Sequence, residues 1–335
     1  MYLVSILVPV YGVENYIERC ARSLFEQTYQ NLEYVFVDDC SPDRSIELLE
    51  TVINDYPHRK SQIRIIRHSK NKGIAAVRNT AINAANGLFI CHVDSDDYLE
   101  VDAIRLMVED QQINHSDIVT VGACSIFKEH VDYLRQSSSN SKEQFLLAVL
   151  QPNFDHTIWG RLIRLSLYKD YGIMNKDGFN QGEDWWTTPR LIYYAQSISC
   201  IRQVLYYYDC TRDDSMCILN SHNNNNVTSW LNDIVSIESV VNFFADKEDK
   251  YRKASLRMAI YCLYMYLCRS AYYGEKKVFK RIKNKILRND KVTLSYIGWN
   301  RPLKKCLMSN FIICKSYFAF PILRKSYFFI HTLAK

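Results

Sequence analysis

Two hydrophobic periods alternate through the first part of the chain. Residues 4–10, 32–37, 63–66 and 88–93 are short runs rich in β-branched and aromatic side chains, as expected of strands buried on both faces. Between them, Ile17, Ala21 and Leu24 share one helical face and Ile46, Leu49 and Ile53 another, at the spacing an amphipathic helix needs. Ser41 followed by Pro42 predicts a helix start, since Ser can cap free N–H groups and Pro fits the first turn. Gly87, just beyond residues 74–85, predicts a stop. This alternation predicts an α/β fold with a mostly parallel sheet and right-handed crossovers. Ligands in such sheets bind beyond the C-terminal strand ends.

The four loops at those ends are polar. They are Tyr11-Gly12-Val13-Glu14, Asp38-Asp39-Cys40-Ser41-Pro42-Asp43, the stretch from His68 to Gly73, and Asp94-Ser95-Asp96-Asp97. Any one of them taken singly reads first as a helix cap or turn. Together they fall on one rim, and two hold adjacent carboxylates, which repel unless a cation or proton sits between them. Asp94 and Asp96, separated by one residue at a strand end, can direct hard oxygen ligands at a divalent ion and leave positions for phosphate and water. No G-x-x-x-x-G-K-[ST] occurs and no G-x-G-x-x-G follows a strand, which argues against a P-loop NTPase and a dinucleotide dehydrogenase.

Further along, Ile234, Ile237, Val241 and Phe244 return at helical spacing. Residues 258–268 form an uncharged apolar run of 11 between Arg257 and Arg269, shorter than the roughly 20 residues that span a bilayer. His222 with Asn223 to Asn226 marks a loop and a domain boundary.

Charge changes this picture. The 335 residues carry a formal net charge of +6, but residues 1–250 hold 23 basic and 34 acidic side chains, net −11, and residues 251–335 hold 19 and 2, net +17. An acidic body therefore precedes a strongly basic tail. With 48% hydrophobic and 23% charged residues, neither a disordered nor a collagen-like chain is indicated. The 11 cysteines include no C-x-x-C pair, so no zinc site or disulfide framework is supported, and reduced thiols of a cytosolic compartment fit best. The apolar N-terminus lacks a basic leader, is broken at Pro9, and reads as a strand rather than a signal peptide.

In this order, Ser5 to Tyr11, Val37 to Asp43, Asn71-Lys72-Gly73 with Ala76 to Asn79, and Asp94 to Asp97 resemble the inverting nucleotide-sugar glycosyltransferases of family two. The resemblance covers roughly residues 3–215 and implies a GT-A fold, a Rossmann-like sheet flanked by helices. It implies a catalytic domain over residues 1–220, with a nucleotide-binding half (1–97) and an acceptor half (98–220); helical spacing and charge, not the resemblance, predict a basic, mainly helical region over 227–335.

Roles follow from the resemblance one residue at a time. Pro9, Val10 and Tyr11 would border the base, with the Tyr11 ring as a stacking surface. Asp39 would accept the imide N–H of a uracil, making a uridine nucleotide the favoured donor; guanine and thymine also present an N–H. Glu14 would hold base or ribose. Gly73 lets backbone approach the nucleotide, and Arg78, one turn on, could reach Asp39, Asp94 or the phosphates. Asp94 and Ser95 would contact the nucleotide, and Asp96, with Asp94, a divalent metal (Mn²⁺ or Mg²⁺) on the diphosphate. An inverting transfer needs a base for the acceptor hydroxyl. In Gln181-Gly182-Glu183-Asp184-Trp185-Trp186, followed by a helix over 185–195, Asp184 is the candidate base and Glu183 its support. The same two acids could instead complement the positive helix end. Trp185 could face a sugar ring, Trp159 could line the acceptor site, and Arg212 with Ser215 could close over the diphosphate.

The basic tail, for example Lys276 to Ile282 and Phe328-Phe329-Ile330, reads either as an anionic membrane surface element near a lipid-linked acceptor or as a helical bundle with solvated charges. A nucleic-acid role, a noncatalytic nucleotide-sugar-binding protein and a nucleotidyltransferase are the competing readings. No nucleic-acid module is recognisable. The loop after the first strand is not a glycine-rich, basic triphosphate loop, and the noncatalytic reading leaves Asp96 and the Glu183-Asp184 pair unexplained.

Overall fold

In the computed structural model, which describes residues 1–134, 141–151, 156–176, 182–212, 227–272 and 280, nine strands share one sheet. They are β1 (Val4–Val10), β2 (Leu32–Asp38), β3 (Ile63–Arg67), β4 (Phe89–His92), β5 (Tyr98–Leu99), β6 (Ile118–Ile126), β7 (Val131–Leu134), β8 (Arg161–Arg164) and β9 (Ile198–Asp209). Their order is β3-β2-β1-β4-β8-β6-β9-β5, with β7 continuing along β6. The first four run parallel, as their buried runs imply. The sheet turns mixed at β8, which is antiparallel to both β4 and β6.

Position in the sheet explains where pattern and structure part. β1 is central, with Val4, Ile6, Leu7 and Val8 fully buried. β3 is an edge strand whose Arg64 and Arg67 are exposed, so the expected burial on both faces does not hold there. Leu88 lies outside β4 and is 42% exposed. Helix α1 (Ile17–Phe25) forms on the expected face, but α2 (Ser45–Asp55) begins beyond the Ser41-Pro42 signal. Ser41 instead donates its N–H to Asp38 Oδ1 at 2.9 Å. Asp43 Oδ1 accepts the Ser45 N–H at 3.1 Å, so local side-chain turns delay the helix.

Two later features set the rim. Between Val121 and Ala123 the β6 register shifts against β9. Gly122 makes this possible, because a Cβ there would lie 2.7 Å from the Arg202 and Gln203 carbonyl oxygens. The shift aims Tyr206 to Asp209 toward the loop after β4. Helices α3 (Ile74–Ala84) and α7 (Glu183–Tyr194), with α4 (Ala103–Asn114), α5 (Lys142–Val149) and α6 (Ser166–Asp170) between them in the chain, both follow a glycine in the left-handed region, Gly73 (φ 86) and Gly182 (φ 76), which L side chains adopt at a cost. Helix α7 starts two residues before the expected 185, so both acids of the Glu-Asp pair belong to its first turn.

The described residues form two compact units, the first drawn from residues 1–149 and 156–212. In the second, helices Val227–Phe244 and Asp249–Tyr272 pack together and bury Ile234, Ile237, Phe244, Met258 and Cys262. No helix among the described residues is long and apolar enough to cross a membrane. The Asn run, Ser215 and, Lys280 apart, residues 273–335 lie outside the described residues.

Candidate active site

Asp39 ties two strand ends to a helix start. It is 2% exposed. Its Oδ1 accepts the Lys72 N–H at 2.9 Å and Oδ2 the Gly73 N–H at 2.7 Å. His68 Nδ1 lies 2.7 Å from Oδ1, and His68 Nε2 lies 2.9 Å from Thr80 Oγ1. The ends of β2 and β3 are thereby fastened to the start of α3. Ionised carboxylates accept about four such bonds, and three groups already use this one.

One turn into α3, Arg78 is buried between two acidic segments. Its Nη2 donates to Asp94 Oδ1 at 3.2 Å, and its Nε lies 3.6 Å from Glu183 Oε1. One guanidinium thus bridges the loop after β4 and the first turn of α7. Asp94, Asp184 and Glu183 together hold Arg78 in its charged form against the effect of burial. Burial, and then the Glu183 charge, push the Asp184 carboxyl well above the usual carboxylate range, while Arg78 opposes both. Burial raises Glu183 in the same way, again opposed by Arg78. Asp184 Oδ1 is buried and takes no hydrogen bond among the described residues. Behind Arg78, Tyr168 OH meets His92 Nε2 at 3.2 Å, and burial, followed by the Arg78 charge, keeps that imidazole neutral.

The Asp94 to Asp97 loop is locked from below. Tyr206 OH donates to Asp97 Oδ2 at 2.6 Å and accepts the Asp94 N–H at 3.2 Å. Asp97 Oδ1 accepts the Asp209 N–H at 2.9 Å. Arg19 Nη2 reaches the Asp96 carbonyl at 2.7 Å and the Asp209 carboxylate, with its guanidinium 4.6 Å over the Tyr98 ring. The Asp96 carboxylate stays clear of this lock and pairs with Arg212 Nη1 at 3.2 Å, while Arg212 Nη2 donates to the Gly12 carbonyl at 3.0 Å. Burial and then Asp94 raise the Asp96 pKa, and Arg212 opposes them.

Among the remaining sequence candidates, Tyr11 is 46% exposed on the rim and Ser95 is buried. Pro9 and Val10 form the last pairs of β1 with β2. Glu14 accepts the Arg44 N–H at 3.1 Å, and its own N–H reaches Asp43 Oδ2 at 3.0 Å, so it also knits two loops. Trp159 is 4% exposed and stacks on Tyr206, centroids 4.3 Å apart. Trp185 stacks on His156 at 3.7 Å.

Residues 5–172, half of the chain, match the family described as glycosyl transferase family 2. The chain belongs to this family. Among family 2 relatives, the uncharacterized glycosyltransferase EpsJ of Bacillus subtilis is 32% identical over 216 residues, 62% of this chain and 60% of that protein. The poly(ribitol-phosphate) beta-N-acetylglucosaminyltransferase TarS of Staphylococcus aureus is 27% identical over 220 residues, 62% of this chain and 36% of its own length. The chain thus spans less than two thirds of these relatives. The fold is GT-A: a crystal structure of S. aureus TarS residues 1–349 with UDP superposes with a TM-score of 0.55 at 20% identity, covering 92% of this chain and 91% of that one.

Arg78, Asp94, Glu183 and Asp184, far apart in the sequence, have their side chains brought together by the fold. Asp97, Arg19 and Asp209 carried no assigned role, yet they hold the Asp96 loop. The repeated acid at Asp97 was a usable signal, because two adjacent carboxylates at a strand end need separate partners. Arg19 and Asp209, 190 residues apart, had none.

Proposed function

We propose that this chain is an inverting, metal-dependent glycosyltransferase moving a hexose or N-acetylhexosamine from a nucleoside diphosphate donor, with uridine favoured, to a saccharide or lipid-linked saccharide of a surface polysaccharide. The observation that carries the reading is Arg78, which joins Asp94 to the Glu183-Asp184 turn, where Asp184 Oδ1 takes no hydrogen bond among the described residues. The TarS complex with UDP supports the donor class.

In this reading Tyr11 offers its exposed face to the base, and Asp39 reads the imide N–H with the oxygen that also holds the Gly73 amide. Asp94 and Ser95 meet the nucleotide. Asp184 takes the acceptor proton as the hydroxyl attacks the anomeric carbon, and Glu183 keeps Arg78 in place. Trp185 borders the acceptor sugar. Arg212 leaves Asp96 and turns to the diphosphate, excluding water.

The donor set suits a divalent ion such as Mn²⁺ or Mg²⁺. The Asp96 carboxylate already faces a cation, Arg212, and its oxygens are hard donors. No cluster of three or more His, Cys, Asp or Glu among the described residues would hold an ion unaided, so phosphate and water would supply the other ligands. When bound, the ion would screen charge on the departing nucleoside diphosphate.

A panel of nucleotide sugars assayed with and without Mn²⁺ for nucleoside diphosphate release tests this. Turnover is expected with a uridine donor, and Asp96→Ala should lower it about 100-fold or more, the scale of losing one charge-stabilising group. No uridine-donor turnover, or turnover unchanged in Asp96→Ala, overturns the reading. The +17 charge of residues 251–335 supports docking on an anionic membrane. Binding of the full chain to phosphatidylserine vesicles should then fall steeply with salt, and salt-independent or absent binding removes that part.

A further inference from the structure

Next to Arg78 on α3, Asn79 points to a different segment. Its Nδ2 donates to the Asn175 carbonyl at 2.8 Å, and its Oδ1 accepts the Asn175 N–H at 2.8 Å. A side-chain amide that pairs with both groups of one residue acts as an added rung of backbone pairing, and it fixes that residue in two directions at once. The preceding residue is held from the other side, because Trp186 Nε1 donates to the Met174 carbonyl at 2.9 Å. Trp186 belongs to the first turn of α7, with Glu183 and Asp184. Met174 and Asn175 are therefore a two-residue strap stitched to the helix that carries Arg78 and to the helix that carries the acid pair. Asn175 is 5% exposed, so these bonds meet little competition from water.

Resting on the reading above, we infer that Asn79 is a positioning residue for the transfer step. Through the strap it fixes the distance between Arg78 with Asp94, on the donor side, and Glu183 with Asp184, on the acceptor side. The direct Arg78 to Glu183 contact, at 3.6 Å and outside good hydrogen-bond geometry, is too loose to set that distance alone. Asn79 touches neither substrate nor the reacting atoms. Its loss should leave nucleotide binding intact and misplace the base, a kind of error that costs far more rate than affinity.

Asn79→Ala removes both bonds; Asn79→Asp keeps the acceptor for the Asn175 N–H and loses the donor. In the full chain, transfer kcat should fall about 100-fold in the first and about 10-fold in the second, since ångström-scale misplacement has effects of this size. Donor KM and UDP affinity by calorimetry should stay at the wild-type values. Hydrogen exchange of peptides covering residues 174–176 should speed up in both variants, with α3 still protected. Unchanged kcat per folded molecule overturns the inference, and so does a parallel loss of kcat and UDP affinity. If Asn79→Ala does not fold, Asn79→Asp decides alone. A wild-type chain inactive with every nucleotide sugar defeats the proposed function, and the strap is then judged by exchange: no change at 174–176 overturns it.

Discussion

Replacing Asp184 with Asn is expected to lower sugar transfer by about 1,000-fold, within the range for a lost general base, while UDP affinity is kept and the protein melts at a higher temperature. The two effects share one cause. Burial and the Glu183 charge raise the Asp184 pKa above the carboxylate range, so the ionised form that transfer needs is the form the fold disfavours. A carboxyl whose folded-state pKa is raised contributes its stability in full below the unfolded value, near 3.9, and loses it as pH rises through the folded value. Above that value the wild type carries the cost, and an isosteric neutral amide does not. The gain should be on the order of 1 kcal/mol, about 2–4 °C for a unit of this size, and should widen as pH rises. The same shift moves the acid limb of wild-type transfer above the usual carboxylate range, since acidification protonates the base. Transfer assays, UDP calorimetry and melting curves across pH check all three, and transfer surviving in Asp184→Asn removes Asp184 as the base.

The sheet was legible where burial dominated. Runs such as 4–10 and 32–37 became β1 and β2 because a central parallel strand has no solvent face to encode. Legibility failed at edges and starts. β3 carries exposed arginines because it has one neighbour, and α2 starts late because Asp38 and Asp43 satisfy the Ser41 and Ser45 amides first. The antiparallel insertion of β8 between β4 and β6 had no local signal, since strand order depends on contacts made across the whole chain.

Residue chemistry at the site was more legible than residue partnership. Paired acids at strand ends announce charge that must be compensated, and the compensating group does sit nearby in space. Sequence alone left Arg78 open to Asp39, Asp94 or phosphate, whereas in the fold Asp39 is taken up by the Lys72 and Gly73 amides and Arg78 faces Asp94 and Glu183. Trp159 shows the same limit: nothing in its sequence neighbourhood signals that its ring stacks on Tyr206 and is 4% exposed.

Arg78→Met should be the most destabilising single change at the site, by about 3–5 kcal/mol, because it strips the cation from buried acids without removing them. Methionine preserves much of the volume, so the loss reports charge rather than a cavity. The sign of its pH dependence follows from the same geometry. Arg78 opposes the upward push on Glu183 and Asp184; without it both folded-state pKa values rise further, and the acids respond at low pH by taking up protons. The penalty should therefore be small in acid and grow as pH rises through neutrality, a drop on the order of 10 °C in Tm at its largest. Arg78→Lys should fall between, since a compact ammonium can face one carboxylate but not bridge two. Combining Arg78→Met with Asp184→Asn should cost less than the sum of the separate effects, because the second change removes a charge that the first leaves exposed to burial. A melting temperature for Arg78→Met equal to wild type at alkaline pH, or strict additivity in the double variant, would show that Arg78 does not compensate the acid pair and would dissolve the link between the donor and acceptor sides of the rim.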